Sequence, residues 1–264
     1  MSTGSNRQGI DYKFVFELRY DYGYTYLDRC GATMNEILRT HPGWEHVGVS
    51  PQQGTLRDTD RDLTFNFSIY KLDLSQELTL KTMELMEIEK FAGLANELAE
   101  TVVARLDVQE NITRIGFRIW QLFGRYETFD AAREAVKSLG LLDTRKFGDA
   151  GIGRITETSC SMITDREICC TRIAITPVEQ KVHVDPATVQ KALVKPHKLS
   201  SDQRRALIDK VKADRAIKSF PPFAVLVDMD HFLEYPPYPD HLRVADDLIV
   251  PCYRWSKDTA AKLI

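Results

Sequence analysis

Along the chain the apolar positions change period several times, and each change marks an element. Phe14, Phe16, Leu18 and Tyr20 alternate with Val15, Glu17 and Arg19, the period of a strand with one buried face. From Thr25 to Arg39 the spacing lengthens. Leu27, Cys30, Met34, Ile37 and Leu38 recur at helical intervals until His41-Pro42-Gly43 breaks the pattern. Leu63, Phe65, Phe67 and Ile69 return to alternation after a polar hairpin or loop over Pro51 to Arg61, which predicts a second strand pair. Ser75 to Leu106 carries Leu78, Met83, Met86, Phe91, Leu94, Leu98, Val102 and Leu106 among Glu and Lys. It reads as the longest amphipathic helix, laid on one face of a sheet.

Ile112 to Phe123 is again strand-like, with Ile115, Phe117 and Ile119 on one side. Thr128 to Leu139 reads as a helix capped by Thr128, with Ala131, Ala135, Val136 and Leu139 inward. Asp143 to Gly153, rich in glycine and charge, is the best internal joint. Beyond it Ile155 to Ile163 and Glu167 to Ile175 suit an antiparallel pair, and Pro186 to Val194 and Ser201 to Lys218 suit helices. Phe223 to Phe232 is a late apolar strand, followed by the stiff Tyr235 to Pro239 connection, a short strand and a terminal helix. Strands in hairpin pairs between helices of unequal length predict an α+β protein: antiparallel sheets flanked by helices, in two intimately packed halves. Those halves span 11–145 and 154–264, after a loose tail over 1–10.

At 264 residues the chain can bury a substantial core. Apolar residues make up 43% and charged residues 28%, away from the composition of disordered chains, so a folded protein is expected. The 35 basic and 38 acidic side chains leave a net charge of −3, which indicates neither nucleic acid nor an anionic membrane as a partner. Five cysteines, at 30, 160, 169, 170 and 252, form no Cys-x-x-Cys pair, which speaks against a disulfide framework or a zinc ribbon and for a reducing cytoplasm. The first ten residues lack a secretory apolar stretch, and no window approaches the roughly 18 apolar residues of a membrane span.

Two constellations carry candidate chemistry. The late strand ends in Asp228, Asp230 and His231, two carboxylates and an imidazole of the kind that hold metals for phosphoryl transfer. Locally it resembles the opening strand of the palm in lesion-bypass polymerases and diguanylate cyclases. Only 32 residues follow Phe232, however, too few for the two helices and acidic hairpin such a palm still needs. With Glu234, Asp240 and His241 the group could gather on a divalent cation. Alternation instead puts Asp228 and Asp230 on one face with Leu226, opposite Val225, Val227 and Met229, so the carboxylates also fit a solvated strand face.

The second constellation is Arg114, Gly116 and Arg118 on one strand face, with Trp120 next on that face and Arg125 beyond. Two guanidiniums beside a bare glycine suit a phosphate, a carboxylate or a protein partner; they also suit pairing with Glu17 or with helix carboxylates. Cys169 and Cys170 point to opposite faces of a strand without a histidine nearby in sequence, and buried packing is expected for them. The Gly148 to Gly153 stretch lacks a P-loop ending, and no Gly-x-Ser-x-Gly, His-Glu-x-x-His or kinase signature occurs.

Three segments together, Phe14-Val15-Phe16-Glu17-Leu18-Arg19, Thr113-Arg114-Ile115-Gly116-Phe117-Arg118-Ile119 and Leu226-Val227-Asp228-Met229-Asp230, resemble a sporadically distributed family of uncharacterised bacterial proteins of about this length. The family shows Glu-x-Arg, Arg-Ile-Gly-x-Arg and Leu-Asp-x-Asp strands. Pro251 and Cys252 would interrupt its final helix. The resemblance implies an accessory component of a mobile element or defence system and brings no activity with it. The residues themselves point to a non-catalytic cytoplasmic binding or assembly protein without a cofactor, acting through a protein partner or as a homo-oligomer, with ligand contacts at Arg114, Arg118, Trp120 and Arg125. The rival is a metal-dependent phosphoesterase or nucleotidyl-transfer enzyme with a divalent metal on Asp228, Asp230 and His231.

Overall fold

A computed structural model of the chain describes residues 9–78, 87–141, 159–179, 220–236 and 245–264. Among them are nine strands and four α-helices, a mixed α+β fold built on one large antiparallel sheet. The strands are β1 (Ile10–Tyr20), β2 (Glu45–Val49), β3 (Gln53–Asp58), β4 (Leu63–Ser68), β5 (Lys71–Glu77), β6 (Ile112–Tyr126), β7 (Cys160–Asp165), β8 (Cys170–Glu179) and β9 (Phe223–Glu234). Their order across the sheet is β2-β3-β4-β5-β1-β6-β9-β8-β7. Strands from both predicted halves therefore lie in one sheet, with β1 near its centre.

The chain divides into two compact units, one of residues 1–123, 159–175 and 226–264, the other of 124–158 and 176–225. In the first, α1 (Tyr26–Thr40), α2 (Ile88–Leu106) and α4 (Val250–Leu263) cover one face of the sheet. Tyr26 of α1 meets Phe67 edge-on at 5.7 Å, while Phe91 of α2 and Tyr253 of α4 each lie 5.7 Å from Phe14. Strand register sets Leu56, Phe65, Leu74, Phe16 and Phe117 opposite one another in turn, one buried apolar row across five strands. Aromatic and branched side chains in such cross-strand positions are what hold a sheet face together.

Tyr253 also ties α4 back to β1, donating to Asp11 Oδ2 at 2.9 Å. Lys257 Nζ adds contacts to Asp11 Oδ1 at 3.0 Å and to the Gly9 carbonyl at 3.2 Å. In the second unit the described helix is α3 (Phe129–Ser138), whose Thr128 Oγ1 accepts from the Ala131 N–H at 3.2 Å. Thr128→Ala is expected to destabilise by about 1 kcal/mol, read as a lower denaturant midpoint at unchanged slope.

Several expectations are corrected. Ser75 to Leu106 is not one helix: Leu72, Leu74 and Gln76 alternate inward on β5, and α2 begins only at Ile88. The strand pair expected around the polar stretch 51–61 is present, β3 against β4, with Leu56 and Asp58 turned inward. The buried face of α3 is Ala132, Arg133 and Val136, so Ala131 is exposed. Pro251 does not interrupt the last helix. It sits in the first turn of α4, where the π-helical turn Ala245–Ile249 passes into the α-helix. The tail over 1–8, the joint 143–153, residues 155–158, the helices over 186–194 and 201–218 and most of the stiff connection after Tyr235 lie outside the described residues. Among the described residues no helix is long and apolar enough to cross a membrane.

Candidate functional site

On the sheet face turned away from α1, α2 and α4, polar side chains form a continuous hydrogen-bonded belt across six strands. It starts at Thr55 on β3, which donates to Asn66 Oδ1 at 2.9 Å, and Asn66 donates in turn to Asp73 Oδ2 at 2.8 Å. Lys71 links Asp73 at 3.0 Å to Glu17 at 3.4 Å. Glu17 accepts from Arg19 Nε and from Arg114 Nη1, both at 2.7 Å. The other end of the Arg114 fork donates to both oxygens of Asp230, at 3.0 and 2.8 Å. Arg118 completes the belt by donating through Nε and Nη2 to the two oxygens of Asp228 on β9.

Gly116 makes this arrangement possible. A Cβ there would stand a tight 3.3 Å from the His231 carbonyl and in contact at 3.5 Å with the Arg114 guanidinium, so glycine leaves room for the close approach of β9. Arg114 then stacks 4.8 Å above the Phe232 ring. The belt is partly withdrawn from water, with side-chain exposures of 17% for Glu17, 15% for Arg114 and 20% for Asp230. Burial opposes the charge on Glu17. The hydrogen bond from Arg19 and the charges of Arg19, Lys71 and Arg114 outweigh it and hold the carboxyl below its ordinary value.

A cavity of about 320 Å³ opens over the belt, lined by Arg19, Arg114, Arg118, Arg172, Asp230 and Glu234 among others. Arg172, from β8, is exposed and makes no ion pair or hydrogen bond among the described residues. Arg19 uses only its Nε there, on Glu17. The cavity thus adds unspent guanidinium donors, and the Glu234 carboxylate, to the Arg114–Asp230 and Arg118–Asp228 pairs.

The predicted residues are distributed as follows. Arg114 and Arg118 line the cavity, each closed onto a carboxylate of the neighbouring strand. Trp120 lies next to them, with Arg118 5.2 Å and Lys13 5.3 Å from its ring and Tyr12 stacked at 6.1 Å. Arg125 is exposed on β6 within the second unit. Asp228, Asp230 and His231 do not converge. Successive side chains of a strand alternate, so the two aspartates join the charged belt while His231 turns into the core. Glu234 stands at the cavity, and Asp240 and His241 are outside the described residues.

His231 extends the buried row past Phe117, its ring parallel to the phenyl at 6.3 Å. Its Nδ1 pairs with Thr171 Oγ1 at 2.9 Å and its Nε2 with Ser256 Oγ at 2.7 Å. Close by, Cys169 Sγ lies 3.5 Å from Cys252 Sγ. One ligand atom from each of Cys169, His231 and Cys252 falls within 4.8 Å of the others, a spacing that a tetrahedral cation accepts. Both imidazole nitrogens, however, are already engaged by hydroxyls. Sequence reading missed this cluster because its members stand far apart, the cysteines 83 positions from each other, and gave Cys169 buried packing alone.

Comparison with known proteins adds no relative: no protein-family profile and no curated protein matches the chain.

Proposed function

We propose that this chain is a binding or assembly protein rather than an enzyme, and that the cavity over the charged belt receives an anionic group. That group is a carboxylate or phosphate carried by a small molecule or by a protein partner. One observation carries the reading: Arg172 lines the cavity with no ion pair or hydrogen bond among the described residues, beside an Arg19 that spends only its Nε there, while Arg114 and Arg118 are closed onto Asp230 and Asp228. Guanidiniums with spare donors recognise planar or tetrahedral oxyanions through paired hydrogen bonds. The metal-enzyme reading has less support. Asp228 and Asp230 each already accept two guanidinium hydrogen bonds, and His231 is on the other face.

A thermal-shift titration with inorganic phosphate tests the proposal. The melting temperature of the wild-type chain should climb with phosphate, by the equivalent of about 2.7 kcal/mol at a hundredfold excess over Kd. Arg172→Ala should abolish the climb. An equal response of the two proteins would mark general salting-out and defeat the reading. A response to magnesium or manganese that Asp228→Asn removes would favour the metal enzyme.

A further inference from the structure

The cysteine pair behind the sheet has a geometry that simple core packing does not require. Cys169 sits in the β7–β8 connection at 2% exposure, and Cys252 in the first turn of α4 at 0%. Their sulfurs are 3.5 Å apart, so closing to a disulfide bond of about 2.05 Å needs a movement of about 1.5 Å. The polar groups around them are specific. Thr171 Oγ1 lies 3.9 Å from Cys169 Sγ, and the Arg166 guanidinium covers Trp255 at 3.9 Å, whose ring in turn meets His231 edge-on at 5.6 Å. Arg166 Nη1 is buried without a hydrogen-bond partner. A fixed cation and a hydrogen-bonded imidazole beside two thiols form an environment that stabilises sulfur anions. A metal would need one imidazole nitrogen to give up its hydroxyl and would sit close to that cation.

We propose that Cys169 and Cys252 are a redox-active dithiol that closes to an intramolecular disulfide, tying the β7–β8 connection to α4. The oxidant is a small hydroperoxide. The Cys169 thiolate attacks the terminal peroxide oxygen, the O–O bond breaks, and the departing alkoxide or hydroxide takes up a proton to leave as alcohol or water. Cys169 is then a sulfenic acid. The Cys252 sulfur attacks the Cys169 sulfur, the S–O bond breaks, and the hydroxyl leaves as water with the Cys252 proton. Two thiols have lost two electrons and two protons, and one hydroperoxide has been reduced.

The roles of the two sulfurs follow from their surroundings. The hydrogen bond from Cys252 lowers the Cys169 thiol well below its usual range; burial opposes this, and the hydrogen bond and charge of His231 add to it. Cys252 is pushed the opposite way, first by that same hydrogen bond and then by burial, and keeps its proton until the second step. Cys170, next in sequence, is unsuited to the first step. Desolvation and the charge of Asp165, whose Oδ1 lies 3.7 Å from its sulfur, hold its thiol above the ordinary value.

The test uses the reduced full-length chain, treated with hydrogen peroxide and mapped by mass spectrometry without reductant. The expected result is a cross-linked peptide pair containing Cys169 and Cys252, with three of the five thiols still titratable after denaturation. In Cys252→Ser, oxidation should stop at a Cys169 sulfenic acid that dimedone traps, with the far-UV circular dichroism of the wild type. Five titratable thiols after treatment, or a cross-link confined to other cysteines, would overturn the proposal. So would one equivalent of zinc that survives dialysis and protects both thiols from peroxide.

Discussion

Phe117→Ala should lower the unfolding free energy by about 4 kcal/mol, the range for removing a fully enclosed aromatic ring. Phe117 is 0% exposed and stands where the apolar row passes from β1 to β6 and on to β9. Its ring lies 6.1 Å from Phe14, 6.4 Å from Phe91 and 6.3 Å from His231, so truncation opens a cavity bordered by a sheet strand, a helix and a buried imidazole at once. None of those neighbours can fill the space without giving up its own contacts, which is why the upper part of the range applies. Denaturant unfolding checks it. A loss under about 1.5 kcal/mol would mean that the row tolerates repacking and does not act as the sheet's backbone.

Arg114→Ala is the second large effect, expected at about 3 kcal/mol. It removes the cation that bridges Glu17 and Asp230 and leaves two poorly hydrated carboxylates on either side of a glycine. A triple replacement with apolar residues, Arg114→Met with Glu17→Leu and Asp230→Leu, should recover much of the loss, because the three least hydrated charges leave together, while Lys71 keeps Asp73 and the exposed Arg19 is solvated. The belt also predicts an acid limb. Since the folded protein holds Glu17 below its ordinary value, its contribution is fully present above the unfolded carboxyl value of about 4.3. It drains away as pH falls through the lower folded value. In Arg114→Ala one of the cations that lowers Glu17 is gone, so the folded value moves back toward the unfolded one and the limb should be smaller and end at higher pH. Urea midpoints measured from neutral to acid pH in the two proteins decide the point; superimposable limbs would deny Arg114 this role.

How far the sequence foreshadowed this architecture depended on the range of each interaction. β1 and β6 announced themselves because residues 14–20 and 115–119 alternate apolar side chains in a way that needs no knowledge of neighbours. β5 was hidden. Its last residues, from Ser75, read as the start of the amphipathic helix that follows, until the partners β4 and β1 claim them for the sheet. The charged belt was half visible: pairing of the arginines with Glu17 was one reading of the pattern, but Asp230 and Asp228 as their other partners required β9 to dock beside β6 from 116 and 110 residues away. The thiol–imidazole cluster was wholly out of reach for the same reason. Its contacts exist only after three distant segments have been brought to one corner of the core.

The reach of those contacts also orders events during synthesis. β1 leaves the ribosome early, yet Asp11 waits for a tyrosine 242 positions later, and His231 keeps one nitrogen unanswered until Ser256 arrives 25 positions after it. Closing such long loops is entropically expensive and slow. A nascent chain halted before α4 therefore holds its central strands with one wall missing.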